Sequence, residues 1–164
     1  MRSKLENEYL AASLRGHIQY YATSYNKCPD HEGRAAIRFD GKEIIAGCYY
    51  NNWLKAALFP RDARYERRMK EEMAFMDDTA VRLGVFDQRS FYEAFSIFDN
   101  QCIEESLSSE NMLVRILAIL DRRVGKRRLE KIRRGIEGEE KTFREFFAIR
   151  AAAEGLRAER GEEE

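Results

Sequence analysis

Apolar residues recur at helical spacing through residues 111–134. One set of five is spaced at three- and four-residue steps, which predicts a helix with one buried face: Leu113, Ile116, Leu117, Leu120 and Val124. Ser108 and Ser109 precede this helix as candidate caps, and Gly125 follows it as a candidate end. The apolar set then shifts phase to Leu129, Ile132 and Ile136, so a second helix is predicted from about Lys126.

The same periodicity predicts further helices over residues 3–15, 51–59, 62–83 and 139–156. Ser90 and Glu93 have the spacing of a capping box, which predicts the start of another helix at that point. The 62–83 segment carries methionines at helical spacing, and we interpret this stripe as core.

Residues 34–49 predict a β-hairpin, since Asp40 and Gly41 tolerate the positive φ angles of a two-residue turn. The predicted register places Phe39 opposite Lys42, Arg38 opposite Glu43 and Ile37 opposite Ile44. The preceding segment, 17–25, fits two structures. Its tyrosines and threonine favour a strand, whereas its apolar spacing continues a helical stripe, which is slightly favoured.

These elements predict a mainly α protein with a small antiparallel β-hairpin or three-stranded sheet, an α+β fold class. The chain has 164 residues, 44% of them hydrophobic, and only two prolines. We expect a single compact helical domain over residues 1–158, followed by an acidic polar tail at 159–164.

Charge and targeting signals predict a soluble cytoplasmic protein with no membrane partner. The first residues contain acids where a signal peptide needs an apolar core, and no run approaches the roughly 20 apolar residues of a membrane span. The odd number of cysteines, three, favours reduced thiols over a disulfide framework.

Positive charge is concentrated in one block of a chain whose net charge is zero. Between Leu113 and Arg134, nine Lys or Arg residues stand against Asp121 and Glu130, a surplus of seven. Such a block is typical of a surface that binds phosphate backbones or an acidic protein. The candidate binding residues are Arg122, Arg123, Lys126, Arg127, Arg128, Lys131 and Arg134.

The alternative interpretation is that these side chains are solvated or paired with acidic neighbours. The flanks favour it, because residues 88–112 carry one arginine against five acids, and residues 135–164 carry five bases against nine acids. Asp121 is then expected to orient Arg122 or Arg123. The part that follows Gly125, residues 126–134, is the part most expected to meet a partner.

Two further sets of residues are candidate sites. Aromatic side chains near arginines can stack bases or anchor a protein interface, although they more often pack in a core: Tyr20, Tyr21, Tyr25, Tyr49, Tyr50 and Trp53. A Cys₂His₂ zinc site is conceivable because Cys28 and His31 have the two-residue gap of a metal-binding pair, with His17 and Cys48 as the other ligands.

The zinc prediction is weak, because the second pair has no ligand spacing of its own, and no bound metal or cofactor is expected. Asp30, His31 and Glu32 could act as an acid/base group, but no nucleophile stands at a telling spacing. Phosphate-binding glycine loops, serine elbows and paired metal carboxylates are missing from the sequence.

Residues 103–107, 113–129 and 147–155, together with the aromatic segment from Ile18 to Trp53, form a pattern that is similar to a known one. On these residues the sequence resembles an uncharacterised protein family of low-GC Gram-positive bacteria, their phages and conjugative elements. It brings no activity and no site residues. It implies the company of mobile elements, whose small proteins often bind nucleic acid or disable a host defence enzyme.

Our leading hypothesis is therefore a non-enzymatic binding protein of a phage or mobile element. It would contact nucleic acid or a nucleic-acid-processing protein complex through the basic helix surface, and could be an anti-CRISPR-like inhibitor of an RNA-guided nuclease. The alternatives are a small zinc-binding or acid/base enzyme using His17, Cys28, His31 and Cys48, and an oligomeric scaffold protein.

Overall fold

A computed structural model describes residues 1–24, 33–48 and 86–156. In chain order its elements are α1 (Arg2–Lys4), which continues as a π-helical turn (Leu5–Tyr9), a 3₁₀ turn (Ala12–Leu14), β1 (Ile18–Ser24), β2 (Gly33–Phe39), β3 (Lys42–Cys48), α2 (Gln88–Asp99), α3 (Ile103–Leu107), α4 (Met112–Leu120), α5 (Lys126–Arg133), a second 3₁₀ turn (Ile136–Gly138) and α6 (Lys141–Ala153). The predicted α+β class is confirmed. The predicted helices at 51–59 and 62–83, with the methionine stripe, lie outside the described residues.

The three strands form an antiparallel sheet in the order β1-β2-β3. The helical alternative for residues 17–25 is wrong, because Ile18–Ser24 pairs along its length with β2. Ile18 and Tyr20 alternate towards the core and are each only 2% exposed. This alternation is the one expected for a sheet with one buried face. The sequence favoured helix and strand nearly equally for this segment, and burial in the tertiary structure selects the strand.

The hairpin turn and its first two pairs are confirmed, and the third pair is wrong. Asp40 and Gly41 both have positive φ, at 48° and 78°. A β-bulge next to Ile37 then shifts the register, so that Ile45 and not Ile44 lies opposite Ile37. The bulge has a physical reason: it places Ile45, 1% exposed, on the buried face opposite the fully buried Ile37.

The free edge of β1 is covered by the N-terminal helical segment. The Tyr20 backbone N–H, on the side away from β2, donates to the Glu6 carboxylate at 3.0 Å. A side chain here takes the place of a fourth strand and satisfies an edge donor that would otherwise be available for pairing with another chain.

α2 packs across the inner face of the sheet, against β1 and β2. Asp87 caps it by accepting from the backbone N–H of Ser90 at 2.8 Å. The predicted capping box is therefore wrong, since Ser90 lies within the first turn. Phe91 of α2 stacks on Tyr20, with 6.1 Å between the ring centroids, and joins the helix to the sheet.

α4 is the centre of the fold, in contact with α2, α3 and α6. Eight of its nine residues are buried, so it is apolar on all sides, as a core helix should be. Its cap is Asn111, whose side chain accepts from Leu113 N–H and Val114 N–H, and not the predicted serines. The helix ends at Leu120, five residues before Gly125.

The predicted helix over residues 3–15 is interrupted because its middle pairs with the end of α4. Leu10 and Ala11 have extended backbones. The Ala11 N–H donates to the Leu120 carbonyl at 3.0 Å, and the Arg122 N–H donates to the Tyr9 carbonyl at 2.7 Å. This long-range bridge fixes the turn that leads into α5.

Candidate nucleic-acid interface

Among the described residues, the basic block divides into cations that form ion pairs and cations that do not. Of the nine cations from residue 113 to 134, four form ion pairs: Arg115 with Glu139 at 2.5 Å, Arg123 with Asp121 at 2.9 Å, Arg128 with Glu104, and Arg133 with Glu130 at 2.7 Å. The internally paired interpretation therefore accounts for these four side chains. It does not account for the remaining cations in α5 and its flanks.

Asp121 organises the turn before α5. Its side chain is fully buried, and it accepts the Arg123 backbone N–H at 2.6 Å. It also receives the Arg123 guanidinium, from Nε at 3.1 Å and from Nη2 at 2.9 Å. The prediction that Asp121 orients one of the two following arginines is confirmed for Arg123. This hydrogen bonding raises the pKa of Arg123 above its ordinary value, opposed by partial burial.

Arg123 is part of an aromatic and ionic cluster, and this role competes with binding a partner. Its guanidinium lies 5.1 Å from the Tyr9 ring centroid and 5.4 Å from that of Phe98. The Tyr9 hydroxyl donates to Asp99 at 2.5 Å, and Lys4 donates to the same carboxylate at 2.9 Å. Arg123 thus holds the N-terminal segment against α2, although it remains partly exposed.

Arg150 of α6 clamps the same turn from the other side. Its side chain is buried, and it donates to the Val124 carbonyl at 2.9 Å and to Ser13 at 2.7 Å. It also pairs with Glu154, which accepts from Ser13 at 2.6 Å. Burial lowers the pKa of Arg150, against the opposing charge of Glu154.

The Arg150 clamp was not predicted, but the sequence carries a signal for it. Phe143, Phe147 and Arg150 are spaced by four and three residues, so Arg150 occupies a position on the buried stripe of α6. A charged residue on such a stripe requires buried partners. Here the partners are the Val124 carbonyl, the Ser13 hydroxyl and the Glu154 carboxylate.

α5 rests on the fold through its apolar side. Leu129 is fully buried and Ile132 packs against the core. Arg128, which is half-buried, pairs with Glu104 of α3 and donates to the Arg123 carbonyl at 3.3 Å. Arg128 therefore fixes the helix in place, and it is less available to a partner than the sequence alone indicated.

The opposite side of α5 carries exposed positive charge. Four exposed cations share one side of the helix, and we call them the α5 basic face: Lys126, Arg127, Lys131 and Arg134. None of the four forms an ion pair with a described residue. Arg127 and Arg134 are separated by about 10 Å along the helix axis, at 1.5 Å per residue. Arg122 is exposed on the turn before α5, and it also forms no ion pair with a described residue.

The first two cations of the α5 basic face are unfavourable for the isolated helix, unlike Lys131 in the last turn. Lys126 and Arg127 lie in the first turn, where the helix dipole is positive, and each such cation costs about 0.3–1 kcal/mol. Arg127 and Lys131 are like charges four residues apart, which costs about 0.2–0.5 kcal/mol. The N-cap, Gly125, offers no side-chain acceptor to the first backbone N–H groups. A bound anion would reverse the sign of each of these contributions.

The predicted aromatic surface is only partly described, and it does not form one patch. Tyr20 is buried, and burial raises its pKa. Its role is therefore in the core, a correction to its place among the candidate surface residues. Tyr21 points to the other face of the sheet, between Arg2 at 4.8 Å and Arg38 at 4.1 Å from its ring centroid. The other members of this set, Tyr25, Tyr49, Tyr50 and Trp53, lie outside the described residues.

The four predicted zinc ligands do not converge on one ion. His17 lies beside the hairpin turn, where its Nδ1 contacts Asp40 at 2.6 Å. Cys48 ends β3 at the opposite end of the sheet, opposite Arg34. Six strand residues at about 3.3 Å each separate these two ends by roughly 20 Å, so His17 and Cys48 cannot share a metal. Cys28 and His31 lie outside the described residues, among which no three His, Cys, Asp or Glu side chains cluster as ligands.

A comparison with protein-family models assigns the chain to a family. The model of the SF0329 protein family matches residues 1–151. The chain belongs to this family. No curated protein and no solved structure matches it. In this SF0329 member, the matched residues include all described elements before α6, the complete α5 basic face and most of α6. Within the described residues, no helix is long and apolar enough to cross a membrane.

Proposed function

We propose that this protein is a non-enzymatic binding protein that holds the phosphates of nucleic acid, free or within a nucleoprotein, on the α5 basic face. One observation carries the proposal. Four exposed cations share one side of a short helix and form no ion pair with a described residue, while neighbouring arginines of the same block are paired within the chain.

Helix energetics support an anionic partner. A cation that only contacts solvent could lie anywhere on the exposed side of a helix. Lys126 and Arg127 instead lie at the N-terminal end, where the helix dipole is least favourable to positive charge. A phosphate at this end would meet two cationic side chains and uncapped backbone N–H groups together. The about 10 Å between Arg127 and Arg134 spans about three nucleotides of axial rise along one strand.

The fold supports a rigid presentation of this face. Asp121 and Arg150 fix the turn before α5 from two sides, Leu129 packs in the core, and Arg128 pairs with Glu104 of α3 at the surface. The cations would therefore meet a partner without ordering of the helix backbone, which removes one entropic cost of binding.

A salt titration tests the proposal. If all four side chains contact phosphates of a duplex, the logarithm of affinity falls with a slope of about −3.6 against the logarithm of salt concentration. Affinity should then fall about 150-fold between 50 and 200 mM salt. Fluorescence anisotropy with labelled duplex DNA, single-stranded DNA and RNA of one length would measure the slope and the preferred nucleic acid.

Charge-matched variants separate the α5 basic face from general charge. The double variant Arg127→Gln/Lys131→Gln should reduce the magnitude of the duplex slope by about 1.8. The control Arg15→Gln/Lys42→Gln removes two exposed cations elsewhere and should leave the slope unchanged. Equal losses in the two double variants, or negligible affinity of the wild type at 50 mM salt, would refute phosphate binding by this face.

The proposed biological context is narrower than phosphate binding. The resemblance to a family of Gram-positive bacteria, their phages and conjugative elements supports a cytoplasmic protein of a mobile element, acting as an inhibitor of an RNA-guided nuclease. Addition of the purified protein to a cleavage reaction of such a nuclease would test this. If cleavage is unchanged at a large molar excess while nucleic acid is bound, the inhibitor is excluded and phosphate binding stands.

A further inference from the structure

An open groove of about 1160 Å³ lies between the end of α5, the second 3₁₀ turn and α6. We call it the α5–α6 groove. Its apolar lining among the described residues is Ile136, Phe147, Ala148, Ala151, Ala152 and Leu156. The alanines recur at three- and four-residue steps, so one side of α6 presents short side chains, and a second helix could approach its axis closely. The volume exceeds the roughly 300–1,000 Å³ of small-molecule sites, which favours a peptide segment.

The charges around this groove are unevenly distributed. Two of its acids are paired across the same rim, Glu130 with Arg133 at 2.7 Å and Glu137 with Arg144 at 3.3 Å. Arg134 and Lys141 flank the 3₁₀ turn and form no ion pair with a described residue. The other end, at Ala152 and Leu156, is apolar in its described lining. The third acid of the lining, Glu145, lies one helical turn after Lys141 and also forms no ion pair with a described residue. Two unpaired cations against one unpaired acid leave this end of the groove with a net positive charge of one, and the other end is apolar.

The lining argues against a nucleic-acid strand in this groove. Single strands bind through bases that stack on exposed aromatic rings. The aromatic residue of the described lining is Phe147, which is only 5% exposed and whose ring is occupied by the core. A row of small side chains offers contact area to a helix but no stacking platform.

We propose that the α5–α6 groove binds an amphipathic α-helix of a partner protein. The apolar stripe of that helix lies on Ala148, Ala151 and Ala152, and acidic residues at one of its ends face Arg134 and Lys141. This inference goes beyond the proposed phosphate binding, with which it shares only Arg134. A protein that carries both surfaces would suit a nucleoprotein, whose phosphates and protein helices are presented together.

A synthetic peptide tests the groove. The probe is a fluorescein-labelled helical peptide of about 15 residues, with leucines at positions i, i+3, i+7 and i+10 and two glutamates at one end. Versions with the glutamates at either end, and a charge-reversed version with lysines, are titrated against the full chain in anisotropy. We expect micromolar binding of one acidic version and at least tenfold weaker binding of the lysine version.

Variants locate the binding and separate it from phosphate binding. Ala152→Trp fills the groove from an exposed position and should weaken peptide binding at least tenfold, as should Lys141→Glu. Ser96→Trp, on an exposed side of α2, is the matched control and should have no effect. Arg127→Gln should retain peptide binding, and Ala152→Trp should retain the salt-dependent binding of nucleic acid.

The proposal is overturned if neither acidic peptide binds below millimolar concentration, or if the lysine version binds equally well. It is also overturned if Ala152→Trp, shown to be folded by an unchanged thermal midpoint, binds the peptide as tightly as the wild type. None of these results would bear on the α5 basic face, because phosphate binding is measured separately with duplex DNA.

Discussion

Replacing Arg150 by methionine should destabilise the protein more than any change on the α5 basic face. Methionine keeps an apolar stem of similar length and removes the guanidinium. Without the guanidinium, Glu154 loses its ion pair with Arg150. The Val124 carbonyl and the Ser13 hydroxyl oxygen each lose a hydrogen-bond donor. The native residue is 2% exposed, so water does not replace these hydrogen bonds without a rearrangement of α6.

The size of this effect follows from burial. Removing one partner of a buried ion pair costs about 3–5 kcal/mol. Glu154 retains 19% side-chain exposure and can recover part of its hydration, which places the expected loss at about 3 kcal/mol. For a domain of this size, 1 kcal/mol corresponds to about 2–4 °C, so the thermal midpoint should fall by about 6–12 °C.

Urea and thermal unfolding followed by circular dichroism measure this loss. Arg144→Met is the matched control on the same helix, because Arg144 is 43% exposed and its partner Glu137 is 91% exposed. Exposed pairs contribute about 0–1 kcal/mol, so the control should change stability little. A loss below 1 kcal/mol in Arg150→Met, or equal losses in the two variants, would show that Arg150 does not clamp the turn before α5.

Two further predictions concern the sheet and the Asp99 cluster. Gly33→Ala should destabilise the protein by about 1–3 kcal/mol in urea unfolding, because the added Cβ would overlap the Thr23 carbonyl of the neighbouring strand; Gly138→Ala, with open space around its Cβ, is the control and should change little. The Lys4 hydrogen bond, followed by that of Tyr9, holds the pKa of Asp99 below its ordinary value of 3.8. Asp99 therefore contributes stability that is fully present above that value and is lost as the pH falls through the lowered pKa. The wild type should be more stable than Asp99→Asn at pH 7 and lose this advantage as the pH falls through the lowered pKa of Asp99. An advantage independent of pH would contradict this assignment.

Several local features could be read directly from residue order. The Asp40–Gly41 turn depends on two adjacent residues that tolerate positive φ, and the apolar run of α4 requires burial in any fold. The charge surplus of the basic block is likewise a property of composition. These predictions hold because their physical cause lies within a few residues of the feature.

Features that depend on distant partners were missed or misplaced. The helix predicted over residues 3–15 breaks at Leu10, because its backbone pairs with Asp121, more than a hundred residues later. Ile18–Ser24 is a strand because β2 lies beside it and α2 covers one face. Ile44 is displaced by a bulge that serves the burial of Ile45. In each case the local preferences for the competing conformations differ by little, and a long-range contact outweighs that difference.

The division of the basic block shows the same limit at the candidate site. The sequence by itself determined that residues 113–134 carry a surplus of seven positive charges. It could not determine which charges are neutralised, since Glu104 and Glu139 reach Arg128 and Arg115 only through the packing of α3 and the segment before α6. Only the tertiary structure separated the paired arginines from the α5 basic face, because ion pairing depends on distances of a few ångströms between elements that are far apart along the chain.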